Sequence, residues 1–153
     1  MIDRSSINQL IRTSEMSKSS FVTLIEISNC HSRISKKLEQ SLAAVHGLGL
    51  SEYLALYYLD NANTPLSRIA LASELGLTAS GVTRLLNPME KLGLIERQVN
   101  ERDARLSLVK LSVAGGEKFS NAKVSVERSA ADILQELASK EAASLVAVLK
   151  KVA

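Results

Sequence analysis

The sequence predicts a mainly α fold of the α+β kind: a winged helix-turn-helix set between long N- and C-terminal dimerisation helices. Three observations predict it. The run Leu71-Ala72-Ser73-Glu74-Leu75-Gly76-Leu77-Thr78 reads as a helix, a glycine turn and the cap of a second helix. Directly after that second helix, Leu94-Ile95-Glu96-Arg97, a polar turn, and Leu108-Val109-Lys110-Leu111 read as a two-stranded wing. At both ends of the chain, apolar residues recur at spacings of three and four. Composition agrees. Aromatic residues are only 3% with no Trp, so the core must be Leu, Ile, Val and Ala, which favours helices over a sandwich or barrel.

In chain order, residues 1–19 are rich in Ser and polar groups, and Ile7, Leu10 and Ile11 fit a short amphipathic helix or a frayed arm. From Ser20 to His46, the stripe Leu24, Ile27, His31, Ile34, Leu38, Leu42 and Val45 predicts one helix face, ended by Gly47 and Gly49. Ser51 can cap a helix over Glu52–Asn61, and Pro65 closes the segment after it. Leu66–Leu75 and Thr78 to Leu92 are the helix pair, followed by strands near 94–99 and 106–111. Ser112 caps a long helix to Leu137 with the stripe Phe119, Ala122, Val126, Ala130, Ile133 and Leu137. Ser139 caps a last helix bearing Leu145, Val148, Leu149 and Val152. The expected division is 1–50 and 113–153 for the two parts of a dimerisation region and 51–112 for the winged module. The apolar arm faces must be buried somewhere, against a second copy or folded back on the module in a monomer, and the dimer is the reading we expect.

Charge sets loose bounds. The formal net charge is +3 and the pI about 9.1, compatible with nucleic acid without requiring it. Residues 65–112 hold seven Lys or Arg and five acids, and Arg97, Arg102, Arg105 and Lys110 cluster in the wing. One cysteine, Cys30, excludes an intramolecular disulfide, and with two histidines it makes no convincing metal site. No Gly-rich phosphate loop, nucleophile–base arrangement or cofactor motif is present, so an enzyme is not expected, nor a cofactor. The start, Met1 to Ser6, lacks the apolar core of a signal peptide. No run of about 18 apolar residues could span a bilayer, so a soluble cytoplasmic protein without a membrane partner is expected.

The chemistry sits on the second helix of the pair and on the wing. Ala72 lets the helices approach, Gly76 accepts the positive φ of a tight turn, and Val82 and Leu85 pack the second helix against the first. Thr78, Ala79, Ser80, Gly81, Thr83 and Arg84 are short or donor-bearing, so this helix can lie deep in a DNA major groove. Ser80 and Thr83 can bond base edges or phosphates, and Arg84 can reach a guanine; Thr78 also caps the helix. In the wing, Asp103 can hold one of Arg102 and Arg105 by a charge-assisted bond and leave the other for a narrow minor groove. A solvated hairpin with incidental charges is the plainer alternative. Pro88 cannot donate to the carbonyl of Arg84 and should kink the second helix there. Its first half, to Leu86, is then expected in the groove, with Met89 to Leu92 packing toward the wing.

These residues resemble the multiple antibiotic resistance regulators, the MarR family. The resemblance rests on Asp103-x-Arg105-x-x-x-Val109-x-Leu111-Ser112-x-x-Gly115, on Gly49-Leu50-Ser51, Leu71-Ala72 and Val82-Thr83-Arg84, and on Glu90-Lys91-Leu92-Gly93-Leu94-Ile95. It covers roughly residues 20–150. It implies a homodimeric transcriptional regulator, most often a repressor, that binds a pseudo-palindromic double-stranded operator and loses DNA affinity on binding a small aromatic or phenolic effector or on cysteine oxidation. By the same resemblance, Asp103 and Arg105 are the wing pair, and Ser80, Thr83 and Arg84 lie on the recognition helix. The family's usual Thr is Ser at position 112.

For an effector site the sequence offers His31, Tyr53 and Tyr57. The two tyrosines share a helix face at i, i+4 and could line an aromatic-ligand pocket, although either could be core. Cys30 reads as a buried structural cysteine; the alternative is a redox thiol whose pKa His31 lowers, yet helix neighbours point about 100° apart. A winged-helix module that binds a protein and not DNA is the remaining alternative.

Overall fold

The computed structural model describes residues 4–100 and 103–152, with side chains described over 19–98 and 107–152. Among the described residues, six helices and three strands follow one another: α1 (Arg4–His46), α2 (Leu50–Asn61), β1 (Leu66–Ser67), α3 (Arg68–Leu75), α4 (Ala79–Lys91), β2 (Ile95–Asn100), β3 (Asp103–Leu111), α5 (Val113–Leu134) and α6 (Ser139–Leu149). The strands form an antiparallel sheet in the order β1-β3-β2. Contacts divide the chain into two units, Met1–Lys36 and Lys37–Ala153. No helix among the described residues is long and apolar enough to cross a membrane.

The first unit is helical from Arg4, well before the Ser20 start read from the stripe. Its described side chains are almost all exposed, including Phe21, Val22, Leu24, Ile25 and Ile27. The polar groups between them turn back onto the helix, as where Thr23 Oγ1 donates to the Ser19 carbonyl at 2.9 Å. Cys30 is also exposed, against the expected burial.

The second unit holds the core. Leu42, Leu56, Leu71, Val82, Leu86, Met89, Val109 and Phe119 are buried in one cluster. It draws on α1, α2, the helix pair, the sheet and α5, so the winged module and the start of α5 share one interior. Several caps differ from those expected. α2 starts at Leu50, and the Glu52 carboxylate reaches back to the Gly49 N–H at 2.7 Å, so Gly49 and not Ser51 is the cap residue. α6 repeats the device: the Ala138 N–H donates to Glu141 Oε2 at 2.8 Å, which places Ser139 inside the helix. Ser112 caps α5 as expected, its Oγ accepting from the Gly115 N–H at 2.9 Å. α5 ends at Leu134, short of Leu137.

Leu66 and Ser67 were expected in a helix but form β1, because they pair with Val109 and Leu108 and close the sheet's third strand. Ser67 keeps its helix-starting role, its Oγ accepting from the Ala70 N–H at 3.1 Å. β2 and β3 pair from Ile95↔Leu111 to Asn100↔Asp103, with an irregularity at Val99/Asn100. Ile95 and Val109 face the core, while Glu96 lies opposite Lys110 in the register.

Candidate nucleic-acid interface

The helix pair is built by its turn. Gly76 stands at φ 62°, ψ 30°, the left-handed conformation that costs a side-chain-bearing residue energy. Its N–H and that of Leu77 close back on α3, Leu77 donating to the Ala72 carbonyl at 2.9 Å. Thr78 then starts α4: its Oγ1 accepts from the Gly81 N–H at 3.1 Å and lies 3.1 Å from Ser80 Oγ. Val82, Leu86 and Met89 are buried on one side of α4, and Ser80 and Arg84 are exposed on the other.

α4 continues without a break through Pro88. The lost hydrogen bond falls on the Arg84 carbonyl, and both Arg84 and Pro88 are exposed, so water can replace the missing donor. Beyond the proline the ladder resumes, Leu92 donating to the Pro88 carbonyl at 2.9 Å. The end of α4 meets the wing through Glu90 and Asn87. Arg97 of β2 brings Nη2 to 2.6 Å from Asn87 Oδ1, and its buried Nε to 2.8 Å from Glu90 Oε2, an ion pair not aligned as a hydrogen bond. Leu92, expected to pack toward the wing, is exposed.

Ser80, Thr83 and Arg84 line an open groove of about 790 Å³ together with Arg68, Ile69 and Ala79. Arg68 is the residue that sequence reading passed over. It is the first residue of α3, and its Nη1 donates to Thr83 Oγ1 at 3.1 Å. The signal available was a lone arginine directly after a serine cap. The wing departs from the sequence picture in a second way. Of its four basic residues, Arg97 is tied to Glu90, and Lys110 lies 3.1 Å from Glu96 across the strands. Arg102 lies outside the described residues. Asp103 and Arg105 are placed in β3 by their backbone, and their side chains lie outside the description.

The proposed effector residues fall in different units. His31 is in the first, exposed, with Nε2 at 3.4 Å from Ser35 Oγ. Tyr53 and Tyr57 are in the second, and both approach Phe119, with ring centroids at 5.5 and 6.3 Å. Tyr53 is buried while Tyr57 is partly exposed. Burial, helped by the charge of Glu127 and by Tyr57, raises the Tyr53 pKa above the ordinary tyrosine value.

A capped helix pair with a glycine turn and an antiparallel hairpin against it defines a winged helix-turn-helix protein. Known proteins narrow this. Residues 46–106 match the family model described as the MarR family. An uncharacterized HTH-type transcriptional regulator of Bacillus subtilis (strain 168), YdgJ, is 26% identical over 118 residues, covering 77% of this chain and 71% of the relative. The fold matches the transcriptional regulator BldR from Sulfolobus solfataricus with a TM-score of 0.80 at 19% identity, over 88% of this chain and 94% of BldR. It also matches CouR from Rhodococcus jostii RHA1, a structure bound to p-coumaroyl-CoA, with a TM-score of 0.74 at 17% identity, over 82% and 87% of the chains. Over residues 46–106 the chain is thus similar to the MarR family of transcriptional regulators.

Proposed function

We propose that this chain is a homodimeric, cytoplasmic repressor that binds a pseudo-palindromic DNA operator and releases it on binding a small aromatic ligand. The observation that carries the DNA reading is the groove at the start of α4. There Ser80, Thr83 and two arginines without carboxylate partners among the described residues lie side by side. Thr78 shapes the helix start, and Arg102, Asp103 and Arg105 extend the reading to the wing.

Exposed apolar side chains support the dimer. Leu145, Val146, Val148 and Leu149 of α6 and Val124 and Leu134 of α5 are open in one protomer, as are Phe21 and Leu24 of α1. Burying each such side chain against a second copy is worth about 1.5–3 kcal/mol. Residues 1–50 and 113–153 are accordingly the two parts of the dimerisation region, and 51–112 the DNA-reading module. The Tyr53–Phe119–Tyr57 cluster and the CouR ligand support an aromatic effector, with Tyr53 and Tyr57 as its contacts.

Selection of bound sequences from random DNA tests the reading, repeated with phenolic compounds and with oxidants. The expected product is an inverted repeat whose half-sites lie about 10 bp apart. Affinity should fall steeply with salt and in the presence of a phenolic compound. Failure to enrich any duplex would favour the protein-interaction module instead. Loss of DNA binding on oxidation, abolished in Cys30→Ser, would favour the thiol switch. Operator affinity within twofold of wild type for Arg105→Ala would remove the wing from the interface.

A further inference from the structure

Two of the four cations that the sequence gathers in the wing are not free. Arg97 and Lys110 are paired with Glu90 and Glu96, which cancels much of their field. Arg68 and Arg84 line the groove beside α4, and neither is in an ion pair among the described residues.

Arg68 is exposed, yet its guanidinium is held: Nη1 donates to Thr83 Oγ1 at 3.1 Å. The same hydroxyl donates its only proton to the Ala79 carbonyl at 3.0 Å. Thr83 therefore has no proton left for a base edge. Its neutral oxygen fixes the guanidinium without cancelling its charge, and the other N–H donors of Arg68 remain available. Arg68 stands on the helix before the recognition helix, the element that crosses the DNA backbone when its successor enters the groove.

We propose that Arg68 contacts a backbone phosphate of bound DNA, and that Thr83 is the anchor that positions it rather than a donor to a base. The proposal rests on the DNA reading above. Nothing in it requires the wing, and it assigns the groove between α3 and α4 a share of the affinity that carries no sequence information.

The test uses the full chain with two duplexes, one enriched by it from a random pool and one scrambled, titrated over a range of salt. Arg68→Gln should lower the slope of log affinity against log salt by about one, and weaken both duplexes by the same factor. Thr83→Val should weaken binding in the wild-type background, and add nothing further in the Arg68→Gln background. An unchanged slope in a folded Arg68→Gln protein would overturn the phosphate contact. A loss confined to the enriched duplex would do the same. A further loss from Thr83→Val in the Arg68→Gln background would overturn the anchor role. If Arg68→Gln does not fold, Arg68→Lys replaces it: it should keep the wild-type slope with weaker binding, and a slope lower by one would refute the assignment. Absence of binding to either duplex by the unaltered chain would sink the DNA reading itself, and this proposal with it.

Discussion

Arg97 spans from the wing to α4, its Nη2 donating to Asn87 Oδ1 at 2.6 Å while Nε pairs with Glu90 at 2.8 Å. This double attachment ties β2 to the last turns of α4, on both sides of the proline. The wing and the helix thus hold a fixed relation at their shared base. Arg97→Ala should lower unfolding stability by about 1 kcal/mol, a value discounted because both partners keep contact with solvent. The salt slope of DNA binding should stay as in wild type, because the charge removed was already paired. Urea unfolding at constant m and a salt titration check the two halves separately.

The junction of α5 with the start of the wing leaves no room for a side chain at Gly115. A Cβ there would lie 1.9 Å from the Leu94 carbonyl oxygen, a backbone atom that cannot swing away. The contact is fixed by Ser112, which donates from its own N–H to the Leu94 carbonyl at 3.2 Å and caps α5 through its side chain. Gly115→Ala should destabilise the protein by about 3 kcal/mol or more, since the backbone itself must shift. The next residue is the control. Nothing lies within 4 Å of a Cβ at Gly116, so Gly116→Ala should stabilise by about 0.5–1 kcal/mol through helix propensity. Thermal unfolding of the two variants should move in opposite directions.

The wing and helix pair were legible because their signals are local. Gly76 requires a positive φ, Ser112 and Thr78 cap helices, and the alternation around Ile95 and Val109 sets the hairpin's faces. What escaped the sequence depends on groups distant along the chain. β1 exists only because Leu66 meets Val109, a pairing that two residues of strand cannot announce. The caps at Gly49 and Ala138 were misread because a glutamate three residues on competes with the nearby serine for the role. Within the site, the periodicity of α4 separates its buried and exposed sides. It does not say that Arg97 is spoken for by Glu90 or that Arg68 sits beside Thr83.

Tyr53 gives the core a measurable pH response. Its pKa is raised in the fold by burial first, then by the charge of Glu127 and by Tyr57. Above the ordinary tyrosine pKa the unfolded chain has lost this proton while the folded chain still holds it. Stability therefore falls as pH rises through that window and is unaffected by this group below it. Tyr53→Phe should remove that part of the alkaline loss. Ultraviolet titration should show a late phenol that is absent in Tyr53→Phe.

Arg84 and Lys110 should respond oppositely to the same experiment. Arg84 is exposed on α4 and lines the groove, with no acid partner among the described residues. Lys110 is 3.1 Å from Glu96 on the neighbouring strand. If α4 enters the major groove with its N-terminal half, Arg84→Ala removes a base-edge or groove contact. The cost is then about 1–3 kcal/mol of operator affinity, with sequence preference relaxed at one position of each half-site. Lys110→Ala frees Glu96 but removes no unpaired cation, so the enriched duplex should be bound with its sequence preference intact. Titrating both variants against single-position operator variants at fixed salt decides the matter. A relaxed preference in Lys110→Ala with none in Arg84→Ala would move the reading surface from α4 to the sheet.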